Sequence, residues 1–339
     1  MSSTHDHDTR LGVGVDIGGT KIAAGLVGPD GTILASVSEP TPDADAIADL
    51  VADLVARLRA QAQHPVAGIG VGAAGFVAAD RSTVTFAPNI DWRDEPLGER
   101  IGRLVELPVV VENDANAAAW GEYRFGAGAD SDDLLLVTIG TGVGGGVIQS
   151  GDLMRGGFGA AAEIGHLRLV RDGRLCGCGQ HGCFEKYASG SALVAEARER
   201  AASDDPAAAA LVARAGGVEK IKGPLVTDLA QEGDPFAVDL LRDLGAWIGE
   251  GCASLAAVLD PSVIVIGGGV GAAADLLLDP VREAFEEHLP ARFHRRVAEV
   301  RLATLGNDAG IVGAADLGRS ARRATAQPVG SAPGSGTGD

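Results

Sequence analysis

Apolar residues fall in short runs separated by glycine, and this alternation sets the first elements. Leu11–Ile17 is a continuous apolar-plus-glycine run that predicts a buried strand. Gly18-Gly19-Thr20 then turns the chain, and Lys21–Val27 predicts a second strand. Pro29-Asp30-Gly31 turns into a third at 32–37, so the chain opens as a β-meander. Over 43–63 the spacing becomes helical, with Ile47, Leu50, Leu54 and Leu58 on one stripe. Beyond it the pattern predicts a strand at Val66–Ala73, an extended piece at 83–86 and a helix at Leu97–Val105. A strand at 109–111 and a helix at 114–123 complete this half.

The opening pattern then returns. Val15-Asp16-Ile17-Gly18 and Val137-Thr138-Ile139-Gly140 align at an offset of 122 residues, and the runs at 21–27 and 143–148 keep that spacing. A later pair, 68–75 and 263–270, lies 195 apart, so the second half carries an insertion of about 73 residues. Two such halves predict a duplicated α/β fold, two lobes around a central cleft. The expected lobes are 11–122 and 123–319, the second holding the insertion. Further helices are predicted at Pro235–Leu259, 272–288 and 308–319. Residues 1–10 are polar and read as a flexible N-terminus. The stretch 320–339 is Arg, Ala, Ser, Gly and Pro without an apolar period, and reads as a disordered tail.

Charge and composition then narrow the function. A formal charge of −18 makes a surface that repels phosphates, which excludes nucleic acid as a partner. No run is long enough for a membrane span, and 1–10 lacks the apolar core of a secretion signal, so a cytoplasmic location without membrane contact is expected. Glycine is abundant, 50 residues in 339 with no G-X-Y period, which places it in turns and close backbone approaches. Of four cysteines, Cys252 lies in an apolar helical stretch and reads as a small buried hydrophobe. The other three fall within eight residues. In a reducing compartment that clustering favours a metal over a disulfide.

Several glycine runs match a dinucleotide fingerprint formally. Gly70-x-Gly72-x-x-Gly75 and Gly140-x-Gly142-x-x-Gly145 lead into strands, which is the wrong context. Gly267-x-Gly269-x-x-Ala272 stands between a strand and a helix, but too little chain follows for a dinucleotide-binding unit, so a dehydrogenase is disfavoured. A hairpin reading suits the first turn better. In Asp16-x-Gly18-Gly19-Thr20-Lys21 the glycines expose N–H groups to a phosphate, Thr20 adds a hydroxyl, Lys21 adds charge, and Asp16 can reach a metal or its water. The repeat offers a second turn at Thr141-Gly142. Tight turns without a ligand are the alternative for each.

Two more patterns carry chemistry. His166-x₉-Cys176-x-Cys178-x₄-Cys183 places an imidazole and three thiolates at short spacing, which suits a structural, tetrahedral Zn²⁺. His181 is the alternative fourth ligand. Strand 109–111 runs into Glu112-Asn113-Asp114 at a helix start, where the helix dipole favours an ionised carboxylate able to accept a proton from a hydroxyl. A helix cap from Asn113 or Asp114 is the competing reading.

Asp16-Ile17-Gly18-Gly19-Thr20-Lys21, the turn Thr141-Gly142-Val143-Gly144-Gly145-Gly146 and the strand end Gly267-Gly268-Gly269 resemble the ROK sugar kinases of the actin-like ATPase (ribonuclease-H-like) fold. The run from Cys176 to Glu185 and Ala162-Glu163-Ile164-Gly165-His166 are similar to that family's signature, which favours His166 as the fourth ligand. The resemblance spans about residues 11–319. It implies that the first two turns hold the phosphates of ATP with Mg²⁺, and that the third turn lies by adenosine. It implies Asp114 as general base, within Glu-Asn-Asp-Ala-Asn at 112–116. It further implies that Asn89, Asn113, Asp114, Glu163, His166 and Glu185 hydrogen-bond the sugar. The segments at Asn89 and Glu163-x-x-His166 look most like the bacterial glucokinase branch, so phosphorylation of glucose at its 6-hydroxyl is expected. Another hexose, an N-acetylhexosamine, or polyphosphate as donor are alternatives. The family also contains sugar-responsive regulators with a helix-turn-helix module ahead of the sugar domain, a disfavoured alternative here because only ten polar residues precede Leu11 and the charge is wrong for DNA. Relatives are usually dimers or tetramers, so the resemblance implies a homo-oligomer.

Overall fold

The computed structural model describes residues 9–324 apart from 88, 204 and 270–272. Residues 1–8 of the expected flexible N-terminus, and 325–339 of the expected tail, lie outside the described residues.

Two mixed five-stranded sheets carry the chain. The first is built from β1 (Leu11–Ile17), β2 (Lys21–Val27), β3 (Ile33–Pro40), β4 (Val66–Ala73) and, after a small antiparallel sheet of β5 (Phe76–Val77), β6 (Val84–Ala87) and β7 (Trp92–Glu95), β8 (Val109–Asn113). Its strand order is β3-β2-β1-β4-β8. The second contains β9 (Leu134–Ile139), β10 (Val143–Gln149), β11 (Asp152–Leu153), β12 (Val263–Gly268) and β13 (Glu299–Leu302), in the equivalent order β11-β10-β9-β12-β13. Strand senses match as well: β1 is antiparallel to β2 and parallel to β4, and β9 is antiparallel to β10 and parallel to β12. Register preserves both sequence offsets. Asp16 pairs with Gly72 and Thr138 pairs with Gly267, positions that the spacings of 122 and 195 residues relate.

Helices α1 (Ile47–Arg59) and α2 (Leu97–Val105) cover the first sheet. The apolar stripe of α1 is Ile47, Val51, Leu54 and Leu58, all fully buried, whereas Leu50 sits at its edge. Residues 44–46 form a single 3₁₀ turn rather than the start of the helix expected over 43–63. In the second half the insertion supplies α4 (Glu185–Ala188), α5 (Gly190–Ala202), α6 (Ala209–Ala215) and α7 (Gly223–Gln231), which pack with α8 (Pro235–Leu259) and α9 (Ala274–His288) into the larger core. Cys252 is fully buried in that core. Among the described residues no helix is long and apolar enough to cross a membrane.

The halves exchange a helix. α3 (Asp114–Phe125) follows the first sheet but packs on β9 and β10 of the second, while α10 (Ala309–Ala324) follows the second sheet and packs on β1 and β4 of the first. α3 and α10 also cross each other. This exchange explains many of the glycines. A Cβ at Gly70 would lie 1.7 Å from the carbonyl oxygen of Ala314, and one at Gly14 would lie 1.8 Å from that of Ile311. At the helix crossing, a Cβ on Gly313 would lie 1.8 Å from the carbonyl oxygen of Ala117. Backbone stands on every side, so no rotamer change relieves the overlap. Gly70→Ala is therefore expected to lower stability by ~3 kcal/mol, read as a fall in the denaturation midpoint at unchanged m-value.

α10 continues to Ala324, past residue 320 where order was expected to end. Ser320-Ala-Arg-Arg-Ala324 lacks an apolar stripe, but alanine and arginine are good helix formers and extend a helix already docked along its length.

Candidate active site

The sheet ends nearest the helix exchange carry the candidate site residues. β1 delivers Asp16, and the turn that follows is closed by the Gly18 N–H donating to the carbonyl of Lys21 at 3.1 Å. Thr41 braces it from β3's end, its hydroxyl donating to the Gly18 carbonyl at 2.7 Å. Asn89 stands directly beside Gly19. In the second half Gly140 N–H donates to the Gly142 carbonyl at 3.0 Å, and the Gly140 carbonyl accepts the N–H of Gly190 at 2.8 Å. That last bond joins the turn to the N-terminus of α5.

Beside this second turn lies a cavity of about 700 Å³ lined by Gly140, Thr141, Gly190, Ser191, Gly269 and Ala273, with α5 and α7 as its far wall. The N-terminus of a 13-residue helix therefore meets the same space as the turn, and its dipole favours an anion there. Sequence reasoning missed this helix. Its signal was present in Ser189, whose hydroxyl oxygen caps the helix by accepting the Ala192 N–H at 3.1 Å.

Gly267 and Gly268 part company with Gly269. They line a smaller cavity of about 200 Å³ together with Asp16, Asp114 and Thr138. Thr138 is the repeat's counterpart of Asp16, legible from the 122-residue offset but not singled out. Burial pushes the Asp16 carboxyl up, an effect that Lys21 only partly offsets. Asp114 is pushed up to about 6, by burial first and then by the charges of Asp16 and Glu163. Two buried carboxyls on one cavity, with Asp16 raising Asp114, make a donor set short of positive charge, which suits Mg²⁺.

A third cavity, about 170 Å³, is lined by Asn89, Asn113, Asp114, Glu163 and His166, with Gly75, Phe76, Gly144 and Gly145. It is smaller than the ~300 Å³ floor for drug-sized ligands, and its walls are amides and carboxylates that match adjacent hydroxyls. Five of the six candidate sugar residues meet here. The sixth, Glu185, does not line it. Glu185 starts α4 and accepts a hydrogen bond from the Cys176 thiol at 2.9 Å, with its other oxygen beside Gly142.

The helix-cap reading of 112–114 holds for one residue. Asn113 caps α3, its Oδ1 accepting the Asn116 N–H at 3.0 Å while its Nδ2 donates to the Gly75 carbonyl at 3.1 Å. Asp114 is the first residue of the helix, and its Oδ1 accepts the Ala115 N–H at 2.8 Å. The cap thus fixes Asn113 and leaves the Asp114 carboxylate turned to two cavities.

Around the cysteines, the ligand atoms of His166, Cys176, Cys178 and Cys183 all lie within 4.8 Å of one another. Cys178 and Cys183 sulfurs are 3.6 Å apart, and His166 Nδ1 is 3.8 Å from the Cys176 sulfur. Donors ~2.3 Å from a tetrahedral ion stand ~3.8 Å apart, so the four positions suit Zn²⁺. His181 is turned away, its Nδ1 2.9 Å from the Gly173 carbonyl. With Nδ1 of His166 towards the thiols, Nε2 lies on the opposite edge of a ring that walls the smallest cavity.

A base that must be ionised gives rising activity with pH. With Asp114 at about 6 in the free protein, kcat/KM for the acceptor is expected to climb through that pH, with ~10% of the limiting value at pH 5. The Asp16→Asn variant removes a charge that raises Asp114, so its acid limb is expected at lower pH.

The profile of the ROK family matches residues 12–321. Glucokinase from Streptomyces coelicolor is 51% identical over 315 residues, covering 91% of this chain and 98% of that protein. The crystal structure of a ROK family glucokinase from Streptomyces griseus in complex with glucose and AMPPNP superposes with a TM-score of 0.82 at 52% identity, covering 91% of this chain and 99% of the other. A ROK hexokinase from Thermus thermophilus gives 0.78 at 34% identity, with 93% and 99% covered.

Proposed function

The chain belongs to the ROK family, and from that premise we propose that it transfers the γ-phosphoryl group of ATP to the 6-hydroxyl of glucose, with Asp114 as general base. One observation carries the reading: Asp114 lines both the small polyol-sized cavity and the cavity that holds Asp16, Gly267 and Gly268. A hydroxyl in the first and a phosphate in the second meet at a single carboxylate.

In this reading the nucleotide lies in the large cavity, beside the Thr141-Gly142 turn and the start of α5, and its terminal phosphates reach into the cavity of Asp16, Gly267 and Gly268. Mg²⁺ arriving with ATP neutralises phosphate charge, and Asp16 would hold it directly or through water. Asn89, Asn113, Glu163 and His166 orient the sugar so that its 6-hydroxyl faces Asp114. Asp114 accepts that proton late, as the oxygen attacks phosphorus in line, so it positions the nucleophile as much as it deprotonates it. His166 and the three cysteines would hold a structural Zn²⁺ that fixes the imidazole and leaves its other nitrogen to donate to a hydroxyl. A metal-bound thiolate has no proton for Glu185, which frees that carboxylate to serve the sugar side.

The test is a coupled assay across glucose, mannose and N-acetylated hexosamines, with ATP or polyphosphate as donor. Glucose with ATP is expected to give the highest kcat/KM. Preference for an N-acetylhexosamine, or for polyphosphate, would replace the corresponding substrate.

A further inference from the structure

Glu112, one residue before Asn113, is 3% exposed and acts as a junction. Its Oε1 accepts from Asn116 Nδ2 at 3.1 Å and from the Asn113 backbone N–H at 3.2 Å. Its Oε2 meets Arg155 Nε at 2.6 Å and Arg81 Nε at 3.7 Å. The two cations come from different halves of the molecule. Arg81 lies between β5 and β6, where its carbonyl accepts the Val111 N–H at 2.8 Å. Arg155 follows β11 and opens the segment that ends in Glu163 and His166. This segment leans across onto the first half: a Cβ at Gly159 would lie 2.3 Å from the Val77 carbonyl oxygen.

One buried carboxylate thus faces two guanidiniums, and their claims on it are unequal. Nε and Nη2 of Arg81 are buried without a hydrogen-bond acceptor. Burial and the nearby Arg155 hold the Arg81 pKa down at about 10. Arg81 therefore stands in ion-pair range of Glu112 without a hydrogen bond to it, a looser hold than that of Arg155 and one that a small shift would tighten.

We propose that Arg155 is a positioning residue of the sugar site: paired with Glu112, it clamps the Glu163–His166 wall to the strand that presents Asn113 and Asp114, while Arg81 is the cation that takes Glu112 when Arg155 withdraws. The proposal rests on the sugar-kinase reading of the cleft. With the clamp engaged, the two walls of the smallest cavity are held at one spacing. With it released, Arg81 keeps Glu112 paired from within the first half, so Asn113, Asp114 and Asn116 keep their scaffold as the other wall moves. The exchange involves no change in the charge of any group.

Arg155→Met, Arg155→Lys and Arg81→Met in the full chain test this. In Arg155→Met the sugar KM is expected to rise ~10–100-fold with the nucleotide KM and kcat within ~3-fold, because the acceptor wall alone loses its spacing. Arg155→Lys recovers most of that loss, and Arg81→Met leaves the sugar KM within ~2-fold. Hydrogen exchange gives a readout that needs no substrate: amides of 154–163 are expected to exchange at least ~10-fold faster in Arg155→Met and at the wild-type rate in Arg81→Met. Unchanged exchange at 154–163 in Arg155→Met overturns the proposal, as does a nucleotide KM that rises in step with the sugar KM. Failure of the wild-type protein to phosphorylate any sugar overturns the functional reading instead, and the exchange experiment still decides the clamp.

Discussion

Asp114→Asn is expected to lower kcat by ~10²–10⁴ while changing sugar affinity far less. The amide keeps the shape of the carboxylate and an oxygen for the Ala115 N–H, but it accepts no proton from the acceptor hydroxyl. Unfolding would not be the cause of such a loss. The folded state raises this carboxyl to about 6, above its ordinary value, so holding it ionised destabilises the fold as pH climbs past the ordinary value and up through 6. Replacing it by a neutral amide removes that cost, and the melting temperature of Asp114→Asn at pH 8 is expected to equal or exceed that of the wild type. A variant with near-full turnover would take Asp114 out of the mechanism, and one with a much lower melting temperature would assign it a structural role.

Removal of the proposed Zn²⁺ is the second large effect. Chelation is expected to raise the sugar KM by at least ~10² while nucleotide binding, followed with a fluorescent ATP analogue, persists. The asymmetry follows from where the four ligands sit. His166 is both a ligand position and a wall of the smallest cavity, whereas the nucleotide turn at 140–142 is tied to Gly190 by its own backbone bond and α5 is capped by Ser189. Sugar affinity unaltered in metal-free protein would separate the cysteine cluster from the site. Loss of both ligands together would make the metal a requirement for the whole second half.

Much of this architecture is legible in the sequence. Apolar spacing placed β1, β2, β4, α2 and α8 at their observed bounds, because each packs one continuous apolar face on a sheet or core. The duplication was legible too, since β1 and β9 must both end at the same cleft and so keep the same turn chemistry. Five of the six candidate sugar residues converge because the strand ends of both halves meet at one cleft, and the four candidate metal-ligand positions cluster because that short motif folds locally. Glycine was the harder signal. A missing Cβ says that something approaches, not what does, and at Gly14, Gly70 and Gly313 the visitor is a helix backbone rather than a phosphate. The start of α5 escaped notice because Ala-rich stretches in the insertion carry little apolar periodicity. Glu185 illustrates a different limit: its neighbour Cys176 decides which way it points, and that depends on the thiol's proton. Glu112, Arg81 and Arg155 lie far apart along the chain, and nothing in their local patterns joins them.

The most direct measurement is ³¹P and ¹³C NMR of the products formed from ATP and glucose by wild-type and Asp114→Asn protein, side by side. The account predicts a phosphomonoester on C6 of glucose in step with ADP for the wild type, and the same product at least ~100-fold more slowly for the variant. Phosphate on another carbon, ADP without sugar phosphate, or equal rates for the two proteins would contradict it.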